Sequence, residues 1–177
     1  MYYFPSSPWS KSLKISSILG SLLILAVSYG AMKAIPPDGF THLFGSVIAC
    51  VPPLIVLFSI LFIVRGYELN GTQLLIHRLL WSTVIPLNGI KAVRHDPEAI
   101  KCSVRIFGNA GFYSFTGLYQ NKTLGQFRLF GTDTANSVVL SSPYRVIVIT
   151  PEKPPAFIHF LLQYFPNVRE ESTQKNN

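Results

Sequence analysis

Hydrophobic residues fall along this chain in two regimes, and the change comes at Arg65. Before it, Ile15 to Met32 and Leu43 to Val64 run without a single Asp, Glu, Lys, Arg or His. At ~1.5 Å of rise per helical residue these runs extend roughly 27 and 33 Å, matching the ~30 Å hydrocarbon layer of a bilayer. A domain assembled from the rest of the chain is too small to enclose two helices that are apolar on every side. The pattern therefore predicts two transmembrane helices, 15–32 and 43–64. Lys33 to His42 joins them through Pro36-Pro37-Asp38-Gly39, a turn sequence too short for a domain, so the pair reads as a helical hairpin with a short extracytoplasmic link. Pro52-Pro53 removes two backbone donors in mid-span and predicts a kink. With no charged group inside either span, a transport pathway is disfavoured.

After Arg65 the apolar runs shorten and turn residues punctuate them. Gly66 to Leu69 and Thr72 to Arg78 flank Asn70-Gly71, whose residues both tolerate positive φ, and so predict a β-hairpin. Trp81 to Ile85 reads as a third strand and Lys91 to His95 as a fourth, with Asp96-Pro97-Glu98 ending it. Glycines then recur at Gly108, Gly111, Gly117, Gly125 and Gly131 among large aromatics, a pattern that suits bulged sheets and not helices. Gly125 to Gly131, Ser137 to Ser141 and Tyr144 to Thr150 read as strands, the last two a hairpin about Ser142-Pro143. Pro154-Pro155 can open a helix, and Phe157, Phe160, Leu161 and Tyr164 share one face of it before Pro166 stops it. The chain thus divides into an N-terminal segment 1–14, the hairpin 15–64, a small β domain 65–166 plugged by a C-terminal helix, and a polar tail 167–177.

The order Gly66-Tyr67-Glu68-Leu69, Thr83-Val84-Ile85-Pro86-Leu87 with Ile90 and Val93, Gly117-Leu118-Tyr119, Leu124-Gly125-Gln126-Phe127 and Ile147-Val148-Ile149-Thr150-Pro151-Glu152 leading to Phe157 resembles the bacterial pleckstrin-homology (PH-like) domains. The resemblance covers roughly Arg65 to Phe165. It implies a mainly-β PH-like barrel of two packed antiparallel sheets capped by a C-terminal helix, here behind an α-helical transmembrane hairpin. It implies no defined ligand. PH domains of signalling proteins often grip phosphoinositides with basic residues in the first hairpin loop, but that loop here is Asn70-Gly71 and carries no cation.

Charge adds an orientation. Lys11, Lys14, Lys33 and Arg65 are the only cations through Arg65, with Asp38 the one acid, leaving 11 Lys/Arg and 7 Asp/Glu beyond it. Lys11 and Lys14 precede the first span and Arg65 follows the second, so the positive-inside rule puts both termini in the cytoplasm of a multi-pass inner-membrane protein. A competing reading takes Lys11 to about Ala31 as a signal peptide cleaved near Ser28-Tyr29-Gly30, which would change the side of the domain. Two cysteines, Cys50 and Cys102, exclude a disulfide framework or zinc knuckle. No two of His42, His77, His95 and His159 have metal-ligand spacing, His95-Asp96 lacks a third orienting group, and no nucleophile elbow occurs. No catalytic residue, metal or cofactor is expected. Gly108-Asn109-Ala110-Gly111 fits a nucleic-acid-binding GxxG loop formally, but its flanking elements are wrong for that fold, and no nucleic-acid partner is expected. Asn70-Gly71-Thr72 and Asn121-Lys122-Thr123 spell glycosylation sequons that a cytoplasmic domain leaves bare.

Arg65, Arg78, Lys91 and Arg94 are the candidate contacts for anionic lipid head groups, each worth up to about 1 kcal/mol near a surface, or they are ordinary solubilising charge. The sequence thus points to a non-catalytic binding or scaffolding module at the cytoplasmic membrane face, with the bilayer and an unidentified protein as partners. The other reading is an accessory subunit of a larger transporter or envelope enzyme, with Gly20, Ser21, Ser28 and Gly30 permitting close helix packing.

Overall fold

The structure is a computed structural model that describes residues 2–36 and 39–171. Pro37 and Asp38 of the link, and residues 172–177 of the expected tail, lie outside the described residues. Two long helices, α1 (Lys11–Ala34) and α2 (Gly39–Leu61), pack side by side. Ser10 caps α1 by accepting a 3.2 Å hydrogen bond from the Leu13 amide, which is why this helix starts ahead of the apolar run. The chain stays helical through Pro52 and Pro53, so the carbonyls of Ile48 and Ala49 lose their usual donors. Mean hydropathy is 1.8 in the first helix and 2.3 in the second, and 11% of each apolar window is buried within the protein. Leu23 and Leu43 are each 66% exposed, so both helices present apolar surface outward along their length.

The smaller of two sheets contains a strand that the sequence reading missed. Residues Tyr2–Pro5 form β1, which pairs antiparallel with β2 (Gly66–Asn70); β3 (Gln73–His77) and β4 (Ser82–Pro86) complete a four-stranded sheet. Tyr2–Pro5, inside the stretch 1–14 that the sequence reading sets apart as a cytoplasmic N-terminal segment, are therefore paired into the domain's sheet. Four residues carry too short a periodicity to announce a strand, and the partner lies beyond both helices. The connection is reinforced past β1: the Ser6 amide donates to the Arg65 carbonyl at 3.1 Å, the Ser7 amide to Thr150 at 2.8 Å, and Thr132 Oγ1 to the Ser7 carbonyl at 2.5 Å.

The second sheet has seven strands. Its members are β5 (Ala92–His95), β6 (Val104–Ala110), β7 (Phe115–Asn121), β8 (Gly125–Gly131), β9 (Val138–Ser141), β10 (Val146–Ile149) and β11 (Arg169–Glu170), in the order β11-β5-β9-β10-β8-β7-β6. The expectation of wholly antiparallel sheets needs correction at two strand pairs. β10 folds back from β9 into the gap between β9 and β8, and because those two run oppositely, it must lie parallel to β8. β11 likewise runs parallel to β5 and carries the domain past residue 166, with Val168 buried beneath it. The inner faces of the two sheets enclose Tyr67, Leu74, Ile76, Leu140, Ile147 and Ile149. The outer face of the larger sheet is covered around Phe127, Leu129 and Tyr119 by the segment holding Ala99 and Ile100.

Helix α3 (Pro154–Tyr164) plugs the open end, turned slightly from the face that the spacing suggests. Beyond Pro154 at its start, the helix buries Phe157, Ile158 and Leu161, at 0%, 3% and 1% exposure. Phe160 is half-buried against Tyr2 and Phe4 of β1, with centroids at 4.0 and 5.6 Å, and Tyr164 is exposed. The helix therefore bears on the barrel through Phe157 and on β1 through Phe160. Phe157→Ala should cost about 3–5 kcal/mol, whereas Gln163→Ala on the exposed side should change stability by no more than about 0.5 kcal/mol. Denaturant melts of the full chain in mild detergent measure both; equal small losses would make α3 peripheral.

Candidate functional site

The strand registers sort the four candidate cations into two pairs. Gly66 faces His77 and the Arg65 amide donates to the His77 carbonyl at 2.8 Å, so Arg65 and Arg78 lie side by side where the domain meets α2. Lys91 sits at the opposite end, its amide bonded at 2.9 Å to the Ser141 carbonyl beside the β9–β10 turn, and its side chain is exposed. Arg94 already has two carboxylates, Asp96 and Glu171, each at 3.3 Å. Asp96 also accepts the Glu98 amide at 3.1 Å, which makes it a turn cap and the fixed partner of Arg94. The Asn70-Gly71 turn is likewise at the end of β2 away from the helices.

Arg78 is 9% exposed, and among the described residues no carboxylate pairs with it. Its Nε donates to Thr83 Oγ1 at 3.1 Å and its Nη1 to the Phe62 carbonyl at 3.0 Å, just beyond α2. A cation suits that place, where the helix leaves unpaired carbonyls and the negative end of its dipole. Phe62, Phe130 and Trp81 surround the guanidinium at 5.4, 5.6 and 6.0 Å from their centroids. Burial lowers its affinity for the proton.

The β6–β7 turn has a use that no local sequence signal announces. Ser16 Oγ of α1 donates to the Gly111 carbonyl at 2.6 Å, the Tyr113 amide donates to Ser17 Oγ at 2.8 Å, and Ser21 Oγ meets Tyr113 Oη at 2.7 Å. A Cβ on Gly20 would lie 3.0 Å from the Phe112 ring. The small residues at Gly20 and Ser21 therefore receive the domain's own hairpin. Ser21 lies roughly 15 Å along the helix from Lys11, so this hairpin stands beside the helices instead of ending below them.

Between that hairpin and α2 is a cavity of about 880 Å³. The seven-stranded sheet is wider than the four-stranded one, and its overhanging inner face forms the floor. Cross-strand register puts Phe107 with Leu118, Asn109 with Thr116, Leu118 with Arg128 and Thr116 with Phe130, so these side chains share one face. Ile55, Phe58, Ser59 and Phe62 supply the α2 wall and Arg78 the corner. Gly108 and Gly117 face each other at φ of 112° and 149°, where a Cβ would stand 2.3 Å from the Thr116 carbonyl or 2.1 Å from that of Phe107. The floor is thin because neither position admits a side chain. A second cavity, about 550 Å³, is lined by Arg94, Glu170 and Glu171 at the other edge of the sheet.

Glu68, His77 and Ser82 form a three-residue polar group that their sequence spacing does not announce. Glu68 Oε2 meets His77 Nε2 at 2.8 Å and Ser82 Oγ meets His77 Nδ1 at 2.9 Å on neighbouring strands. Neither cavity reaches this group, which bridges β2, β3 and β4 on the face bearing Tyr3, whose ring lies 5.7 Å from that of His77.

A family model described as bacterial PH domain matches residues 65–164. No curated protein and no solved structure matches the chain.

The core beneath Arg78 supplies a pH test. Tyr67 is fully buried, its Oη donates to the Phe130 carbonyl at 2.7 Å and accepts the Thr150 amide at 3.1 Å, and burial pushes its pKa up from 10.0 to about 12. The unfolded tyrosine ionises first, so the stability held by the neutral phenol is complete below about pH 10 and is lost as pH rises towards about 12. Tyr67→Phe should cost about 1–3 kcal/mol at neutral pH, because it strands the Thr150 amide. The gap between wild type and variant should narrow above pH ~10 in melts of the two proteins; a gap that stays constant would contradict this account.

Proposed function

We propose that this chain, which belongs to the bacterial PH domain family, is a non-catalytic binding module that α1 and α2 anchor in the inner membrane as two spans. Its PH-like domain and both termini lie on the cytoplasmic side, and the domain serves as a scaffold for lipid or protein at that face. One observation carries the reading. β1 precedes the first helix, β2 follows the second, and the two strands pair, so the helices leave and return on the same side of any layer they cross. Lys11, Lys14, Arg65 and Arg78 cluster at that end, while Lys33 is at the other, in agreement with the positive-inside rule. Cleavage near Ser28-Tyr29-Gly30 would carry β1 away from its sheet, which speaks against a signal peptide. The accessory-subunit reading loses support at Gly20 and Ser21, because the β6–β7 turn already covers them.

Topology labelling tests the proposal. With Cys50 replaced by Ser, the exposed Cys102 should resist a membrane-impermeant maleimide in intact cells and react after permeabilisation. Reaction in intact cells would overturn the cytoplasmic placement.

A further inference from the structure

We propose that the cavity between α2 and the β6–β8 face holds one anionic phospholipid of the cytoplasmic leaflet, with an acyl chain against Ile55, Phe58 and Phe62 and the phosphate on Arg128 and Arg78. This rests on the two-span reading above and names a ligand for the anchored module. The site is separate from the Asn70-Gly71 loop, which lies at the far end of β2.

Arg78 is buried and Arg128 lines the same cavity, yet among the described residues neither has a carboxylate partner. A buried guanidinium without a counter-charge is costly, and two neutral acceptors leave part of its fork of five donors unused. A phosphate supplies both the missing charge and a pair of acceptor oxygens spaced to meet the guanidinium's planar fork. The apolar wall then selects the source of that phosphate. Ile55 and Phe58 are 56% and 60% exposed, so the cavity wall continues into the outward apolar surface of α2. Because the β6–β7 turn reaches Ser21, the sheet that forms the floor overlaps the spans in height, and Phe107, 79% exposed on an edge strand, forms the outer lip. Free phosphate would satisfy the arginines and leave this wall uncovered. A volume of about 880 Å³ accommodates a head group and the upper part of a chain.

Native mass spectrometry of the full chain, purified in mild detergent and depleted of lipid, tests the proposal with three probes: dioleoyl phosphatidylglycerol, dioleoylglycerol and inorganic phosphate. Phosphatidylglycerol should be retained at one per chain, dioleoylglycerol about tenfold more weakly, and phosphate not at all. Arg128→Gln, at an exposed position, should weaken phosphatidylglycerol about fivefold, and Leu118→Trp should abolish retention by filling the cavity, with unchanged circular dichroism confirming the fold of each. Equal retention of the two glycerolipids, tight retention of phosphate alone, or unchanged binding in both folded variants would overturn the proposal. Release of the chain from membranes by alkaline carbonate would sink the two-span reading itself, whereas a chain that stays in the membrane without binding phosphatidylglycerol would sink this inference alone.

Discussion

The pairing of β1 with β2 is the constraint on which the remaining arrangement depends. It joins residues on either side of a helical hairpin into one sheet edge, and it fixes where both helices begin and end relative to the domain. Such a contact between segments more than sixty residues apart would ordinarily carry a large closure cost. Here the helices reduce it: once α1 and α2 lie side by side, roughly 8–10 Å apart, the chain enters and leaves the pair at neighbouring points. β1 then covers Phe160 and packs Phe4 against Phe157, so the N-terminal residues help close the end that α3 plugs.

The junction between helices and domain is held at two further places. On α1, the hydroxyls of Ser16, Ser17 and Ser21 receive the β6–β7 turn; at the end of α2, the Phe62 carbonyl receives Arg78. These contacts bind polar groups that would otherwise be uncompensated beside apolar helices. They also hold the wide sheet against α2, which leaves the overhanging inner face of β6, β7 and β8 roofed by helix instead of by the smaller sheet. The cavity follows from that mismatch in sheet widths, and its two arginines follow from the register of β3 and β8.

Much of this fold is legible in the sequence because its signals are local. Two charge-free runs give the helices, Asn70-Gly71 gives the first hairpin, the glycine-aromatic spacing gives the sheet, and Phe157 with Leu161 marks α3. The family pattern from Arg65 onward is legible for the same reason. What escapes is long-range. Tyr2–Pro5 is too short to show a period, and the position of β10 between β8 and β9 depends on which gap is empty, which no hairpin signal states. Arg78 was visible as a cation but indistinguishable from Lys91 and Arg94, since only the registers separate the ends of the strands. Arg128 alternates with Phe127 and Leu129, which predicts a face without revealing that α2 stands over it.

The most direct test is a crosslink between β1 and β2. Tyr3 and Glu68 lie directly opposite each other on these strands. In a chain with Cys50 and Cys102 replaced by Ser, Tyr3→Cys and Glu68→Cys should form a disulfide when isolated membranes are oxidised, and a protease site inserted between Ala34 and Gly39 then lets the chain be cut between the helices. If β1 completes the sheet, the two fragments stay joined under oxidising conditions and separate on reduction. Fragments that separate without reductant would contradict the account.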